Sequence, residues 1–193
     1  GKPWVVACDE PGSAGEGLTT DADDTKDPKQ KGNYTAARHK ALWGVLLAGG
    51  AGTEWYFGYK FKDSDLTLQD FRSRDRWWDY CRHALWFFED NKIPFHEMAN
   101  HNELIGNKPN GNAAGYCFAK PGDTYVIYLP KGEERDLMTA DVKSRYGIRW
   151  FDPRNGGGLQ KGSIAEIQGG LGSSLGSPPS DPDKDWVVLV KRL

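Results

Sequence analysis

An unbroken apolar run, Pro3-Trp4-Val5-Val6-Ala7-Cys8, opens the chain and ends on two adjacent carboxylates, Asp9 and Glu10. A strand that is apolar at every position has no solvent face, which is the pattern of a strand covered on both sides in a parallel sheet. Parallel strands need a long crossover, and the next fifty residues read as one. A polar stretch rich in Gly and Asp runs from Pro11 to Gly32. It is too long for a simple turn and has the character of a lid or binding loop. "NYTAARHKALWGVLLAGG" then predicts a helix over about 33–48. Asn33 serves as its N-cap, Ala37, Ala41, Leu42, Val45 and Leu46 share one face, and Gly49-Gly50 form the stop. "GTEWYFG", residues 52–58, predicts a second strand. A second helix is expected over about 67–91. Thr67 and Asp70 resemble a capping box, Phe71, Trp78, Cys81, Leu85 and Phe88 repeat at helical spacing, and Pro94 ends it.

Two parallel strands and two helices leave sheet edges and faces uncovered, so β-α-β-α is not a domain in itself. The unsatisfied sheet predicts that residues 1–100 are the end of a larger α/β barrel, the last two of the eight βα repeats that a TIM barrel spreads over about 250 residues. Beyond residues 100–113 the pattern changes to short alternating segments: "YCFA", "TYVIYLP", "RDLMT", "IRWF", "IAEIQ" and "DWVVLVKR". In the second of these, Tyr125, Ile127 and Leu129 point one way and Val126 and Tyr128 the other. Residues 113–193 are therefore expected to form a small antiparallel β-sandwich, with a Gly/Ser/Pro-rich separator from Gly169 to Pro182 and with Trp150 and Trp186 in its core. The fold class expected is α/β plus all-β.

Several function classes drop out on composition. Net charge is −2 with 25 Lys and Arg against 27 Asp and Glu, which gives no basic footprint for nucleic acid. No apolar run is long enough for a membrane-spanning helix. Cys8, Cys81 and Cys117 lie far apart and form neither a disulfide framework nor a zinc motif, so they read as buried structural thiols. His39, His83, His96 and His101 have no ligand spacing, and no metal or other cofactor is expected. Asp21, Asp23, Thr25 and Asp27 alternate as in the first half of a calcium loop. However, Lys26 and Gly32 occupy the positions where such a loop needs Gly and Glu, so a solvated acidic loop is the better reading. Arg72, Arg74, Asp75 and Arg76 read as a solvated helix face. Asp152, Arg154 and Asn155 lie in a tight turn whose geometry accounts for them.

In a barrel, functional residues sit at the C-terminal ends of strands. Asp9 and Glu10 end the first strand, and Glu54, Trp55, Tyr56 and Tyr59 follow the second. Strand parity puts Glu10 on the face of Val6 and Cys8, and Asp9 on the other. As an isolated pair, Asp9 and Glu10 read first as ordinary solvated loop carboxylates, and it is the barrel context that shifts them towards function. Trp55, Tyr56 and Tyr59 suit either packing or the floor of a sugar subsite, with Tyr59 the better placed for the latter.

"KPWVVACDEPG", "ALWGVLLAGGAGTEWYFGY", "DLTLQDFRSRDRWWDYCRHALWFF", "YVIYLPKG", "IRWFDPRNGG" and "DWVVLVKR" together resemble the C-terminal end of apiosidase-like glycoside hydrolases. These are TIM-barrel enzymes followed by a β-sandwich that carries a collagen-binding family label. The resemblance implies a retaining hydrolase whose nucleophile ends strand seven. That residue matches Glu10, with Asp9 as second choice and Glu54, Trp55, Tyr56 and Tyr59 around the substrate. Retaining hydrolysis needs two carboxyl groups about 5.5 Å apart, and the acid/base would come from an earlier strand that this chain does not contain. A polysaccharide or oligosaccharide substrate is implied, with a secreted or periplasmic location. A collagen-like or glycan ligand is implied for the second domain, and the alternative is a purely non-catalytic binding module.

Overall fold

The computed structural model describes residues 4–9, 17–26, 33–59, 63–64, 67, 70–106, 115–139 and 141–193. Internal contacts divide the chain into two units, Gly1–Leu46 with Gly50–Arg82, and Leu47–Gly49 with His83–Leu193. The division falls inside a helix, at residues 82/83, whereas the sequence pattern placed a boundary at 100–113. A continuous helix hides it, because helical periodicity carries no mark of which unit each turn packs into.

In the first unit, β1 (Ala7–Cys8) pairs in parallel with β2 (Gly52–Thr53), Ala7 opposite Gly52 and Cys8 opposite Thr53. Both strands are shorter than the apolar runs that predicted them, and Trp4, Val5 and Val6 are exposed. Between them come α1 (Asp21–Lys26), α2 (Tyr34–Ala37), a π-helical turn over Arg38–Trp43, and α3 (Gly44–Leu47). The expected helix over 33–48 is thus present, but its buried face is Tyr34, Arg38, Leu42, Trp43 and Leu47. Ala37, Ala41, Val45 and Leu46 are only half-buried. The wider π turn shifts the buried positions away from the 3.6-residue period on which the expectation rested. Asn33 does not cap the helix with its side chain. Its Nδ2 donates to the Gly17 carbonyl, 2.8 Å, and its Oδ1 accepts from the Thr19 backbone N–H, 3.2 Å.

The helix expected over 67–91 begins as a 3-10 turn, Phe71–Arg74, and continues as α4 (Asp75–Asp90). Asp70 caps it, accepting from the Arg72 N–H at 3.1 Å. Its buried stripe is Arg74, Trp77, Tyr80, Ala84 and Phe87, while Phe71 and Leu85 are exposed. The adjacent pairs Trp77-Trp78 and Phe87-Phe88 let the apolar pattern fit either of two faces, and the buried Arg74 decides between them.

Within the second unit, β3 (Ala99–Asn100), β4 (Tyr116–Lys120), β5 (Thr124–Leu129), β6 (Asp136–Met138), β7 (Arg145–Phe151), β8 (Glu166–Gln168), β9 (Leu171–Ser174) and β10 (Trp186–Arg192) follow in chain order. Six of them form one antiparallel sheet, β3-β4-β5-β10-β7-β8, and β6 pairs separately with β9. All six predicted strand segments are present. The sequence reading missed β3 and β9, the latter inside the Gly/Ser/Pro-rich run taken for a separator. Leu171-Gly-Ser-Ser lacks β-prone residues and is held by pairing with β6 instead.

Every residue of β5 is buried, so both sheet faces are covered. One face carries Cys117, Tyr125, Ile127, Leu129, Ile148, Trp150, Trp186, Val188 and Val190, joined by Leu137 and Leu175 from around β6 and β9. On the other face Phe87 of α4 packs against Phe151 with ring centroids 4.9 Å apart, and Phe95 against Phe118 at 4.7 Å. Each buried aliphatic side chain in such a layer contributes about 1.5–3 kcal/mol. Among the described residues, no helix is long and apolar enough to cross a membrane.

Candidate functional site

The parallel register fixes the geometry at the strand ends. The Ala51 N–H donates to the Val6 carbonyl at 2.7 Å, and the Glu54 N–H to the Cys8 carbonyl at 2.9 Å. Because Cys8 faces Thr53, the next residues out, Asp9 and Glu54, emerge side by side from the C-terminal ends of β1 and β2. Both carboxylate residues are exposed. Glu10, the sequence-based candidate for nucleophile, lies outside the described residues.

The aromatic residues after β2 divide into two groups. Trp55 is half-buried, its ring set edge-on to Trp77 with centroids 4.6 Å apart, which is a packing role. The Tyr56 carbonyl accepts from the Leu18 N–H at 3.0 Å, which ties the segment to the loop that follows residue 16. Phe57 is buried beneath the Arg74 guanidinium, 4.1 Å from ring centroid to Cζ. Only past Gly58 does an aromatic ring reach the surface, where Tyr59 is 60% exposed. Of the three rings proposed from sequence, Tyr59 has the exposure that sugar stacking needs.

Sequence reasoning missed the charged groups that hold this unit together. Arg74 is fully buried and donates to the Leu18 carbonyl through Nε (3.3 Å) and Nη2 (3.0 Å), and to the Asp63 carbonyl through Nη1 (3.0 Å). The acidic segment is equally committed. Thr20 caps α1, its hydroxyl accepting from the Asp23 N–H (3.2 Å) and donating to the Asp23 carboxylate (2.8 Å). Asp21 accepts from the Tyr34 hydroxyl at 2.8 Å and from the Arg76 N–H at 3.1 Å. Asp24 pairs with Arg76 at 3.0 Å and accepts from the Tyr34 N–H at 3.2 Å. Burial, followed by the Asp21 hydrogen bond, pushes the Tyr34 phenol well above its ordinary value. These carboxylates fasten helices, so residues 21–26 are a helix and not the solvated acidic loop expected from sequence. Among the described residues no group of three or more His, Cys, Asp and Glu is arranged to hold a metal. Thr20 followed by Asp23 was the available signal, a capping box with Asp in place of Glu.

All three cysteines are free. Burial pushes the Cys81 thiol up to about 12 and raises that of Cys117 as well, which disfavours the thiolate at both. In the second unit the Asp152 carboxylate is saturated by its own turn. Its Oδ1 accepts from Arg154 N and Nε, both 2.8 Å, and its Oδ2 from Arg154 Nη2 and Asn155 Nδ2, both 2.9 Å. Burial alone would raise the Asp152 carboxyl, but these hydrogen bonds outweigh it and hold it below its ordinary value.

Residues 101–191 match the family described as "Putative collagen-binding domain of a collagenase". None of the curated proteins compared with the chain matches it. Among solved structures, it is similar to a protein described as "Glycoside hydrolase", at 16% identity and a TM-score of 0.60 over 82% of this chain and 36% of that one. It is similar also to a glycoside hydrolase family 5 protein from Bacteroides vulgatus, again at 16% identity and a TM-score of 0.60, over 92% of this chain and 39% of that one. At such identity the likeness is one of fold. The chain spans less than two fifths of the length of either protein.

Proposed function

We propose that this chain is the C-terminal part of a glycoside hydrolase of the apiosidase-like kind, with β1 and β2 as the last two strands of a TIM barrel and residues 113–193 as an accessory β-sandwich. The observation that carries the reading is the parallel pairing of β1 with β2, which brings Asp9 and Glu54 out together at the strand ends where barrel enzymes do their chemistry. The exposed Tyr59, five residues on from Glu54, and the likeness in fold to two glycoside hydrolases support it.

In this reading Glu10 is the nucleophile of a retaining mechanism, with Asp9 as second choice. It attacks the anomeric carbon as the acid/base carboxyl of an earlier strand protonates the leaving oxygen, and water then releases the glycosyl group. Glu54, Tyr56 and Tyr59 bind the sugar, whose polymer lies outside the cell, while Trp55 packs on Trp77. The coding sequence upstream of residue 1 tests the architecture, and about six further βα repeats with a carboxylate ending the fourth strand are expected. An unrelated upstream domain would end the proposal.

A second reading rests on the family match over residues 101–191, which favours a binding module for collagen or glycan without catalysis. It predicts that residues 83–193 retain a collagen-like or glycan ligand in a pull-down.

A further inference from the structure

A pocket of about 290 Å³ opens in the second unit, between the last turns of α4 and the turn that follows β7. Its lining combines aromatic faces, Trp86, Phe87 and Phe151, with polar groups, Asp90 and Asn91, and with the backbone of Gly156, Gly157 and Gly158. Trp86 is 51% exposed and Asp90 is exposed beside it, one turn on. The volume falls just below the ~300–1,000 Å³ range of ligand sites, room for one ring and not for an extended ligand.

The walls are fixed before anything binds. Asp152 accepts hydrogen bonds from Arg154 and Asn155, and the Gly156 N–H closes the turn onto the Asp152 carbonyl at 2.9 Å. Gly156 has a φ of +67°, and a Cβ there would come within 2.5 Å of the His83 ring, so only glycine lets this turn lie on α4. On the helix side, Asn91 Nδ2 donates to the Phe87 carbonyl at 2.8 Å, and Lys191 Nζ donates to the Asn91 carbonyl at 2.7 Å. Gly158 is different from Gly156. Its φ is not in the left-handed region, and a Cβ there would meet nothing within 4 Å. Neither backbone strain nor packing requires glycine at 158, so a larger side chain there would extend into open space at the pocket wall.

We propose that this pocket is a non-catalytic subsite for one neutral sugar ring of a polysaccharide. The Trp86 face takes the apolar CH face of the ring, and the Asp90 carboxylate and exposed Gly157-Gly158 backbone take its hydroxyls. The carboxylate disfavours uronic acids through like-charge repulsion. The proposal rests on the carbohydrate part of the proposed function but not on its catalytic part.

The test is calorimetric titration of the chain with cellohexaose, xylohexaose, mannohexaose and hexagalacturonate, repeated for Trp86→Ala and Gly158→Leu. Binding of at least one neutral hexaose is expected, with hexagalacturonate weaker. Trp86→Ala should weaken it about tenfold, the loss of one good aromatic contact, and Gly158→Leu at least as much by filling the space. Unchanged melting temperatures would show that both variants remain folded. No binding of any neutral hexaose, a preference for hexagalacturonate, or wild-type binding by both folded variants would overturn the proposal. Hydrolysis of the same sugars by the protein expressed from its complete coding sequence separates the two readings. Binding lost in the variants without any hydrolysis supports the subsite and sinks the enzyme, while hydrolysis with unaltered binding in the variants does the reverse.

Discussion

The two units bury their aromatic residues by opposite means. In the second, continuous backbone ladders set β5, β10 and β7 side by side, and alternation alone sends Trp150 and Trp186 into one layer. In the first, the ladder is two residues long and charged side chains position the elements. Arg74 holds residues 18 and 63, and Arg76 holds α1 through Asp21 and Asp24. A fold built on ladders closes with its own residues. One built on a two-stranded parallel pair leaves apolar surface beside it, and Trp4 is accordingly 91% exposed.

The largest effect that probes this contrast should come from Trp150→Ala. Removing a fully buried indole should cost about 3–5 kcal/mol in denaturant unfolding. Amide exchange should accelerate in β5, β7 and β10, and a cost below about 1 kcal/mol would mean that the sheet does not depend on this layer. Arg74→Leu should cost about 2–3 kcal/mol by leaving the Leu18 and Asp63 carbonyls unsatisfied in the interior. Here exchange should rise over residues 34–47 and not in β10. Equal acceleration in both would make the two regions one cooperative unit and break the comparison.

Asp152→Asn should cost less, about 1–2 kcal/mol, because the shape of the turn survives and only the charge is lost. The sign of its pH dependence follows from a carboxyl held low in the folded state. The stabilisation is complete above the ordinary Asp value of about 3.9 and fades as pH falls below it through the folded value. Melting temperature should therefore drop more steeply on acidification below about pH 4 in the wild type than in the variant, and parallel profiles would refute this assignment. The smallest effect belongs to Val5→Lys, which should change stability by less than about 0.5 kcal/mol in this chain because the side chain is already exposed. A large loss would show that this edge is packed.

The second unit was legible as strands, since "TYVIYL" and "DWVVLV" are short β-prone runs bounded by turn residues, although they are buried on both faces and carry no apolar/polar alternation. That signal failed at β9, where pairing rather than propensity makes the strand. Helices were legible as elements but not as faces. The π turn at Arg38–Trp43 shifts the buried face of the first helix, and the doubled aromatics of α4 leave two faces open, between which the long-range hydrogen bonds donated by the buried Arg74 decide. At the strand ends, the sequence pattern brought out Glu10 first, then Asp9 and Glu54. The parallel register places Asp9 beside Glu54, and Glu10 lies outside the described residues. The pattern could not assign Trp55 to packing, because that depends on Trp77, twenty-two residues away in sequence and 4.6 Å away in space.

The proposal to be tested first is that Glu10, or failing it Asp9, performs glycoside hydrolysis in the intact protein. Glu10→Gln, made in the protein expressed from its complete coding sequence, tests it most directly by turnover of an aryl glycoside or oligosaccharide substrate. Loss of turnover with an unchanged melting temperature is predicted. Unaltered turnover would contradict the assignment of Glu10, and unaltered turnover in Asp9→Asn as well would remove catalysis from this strand altogether.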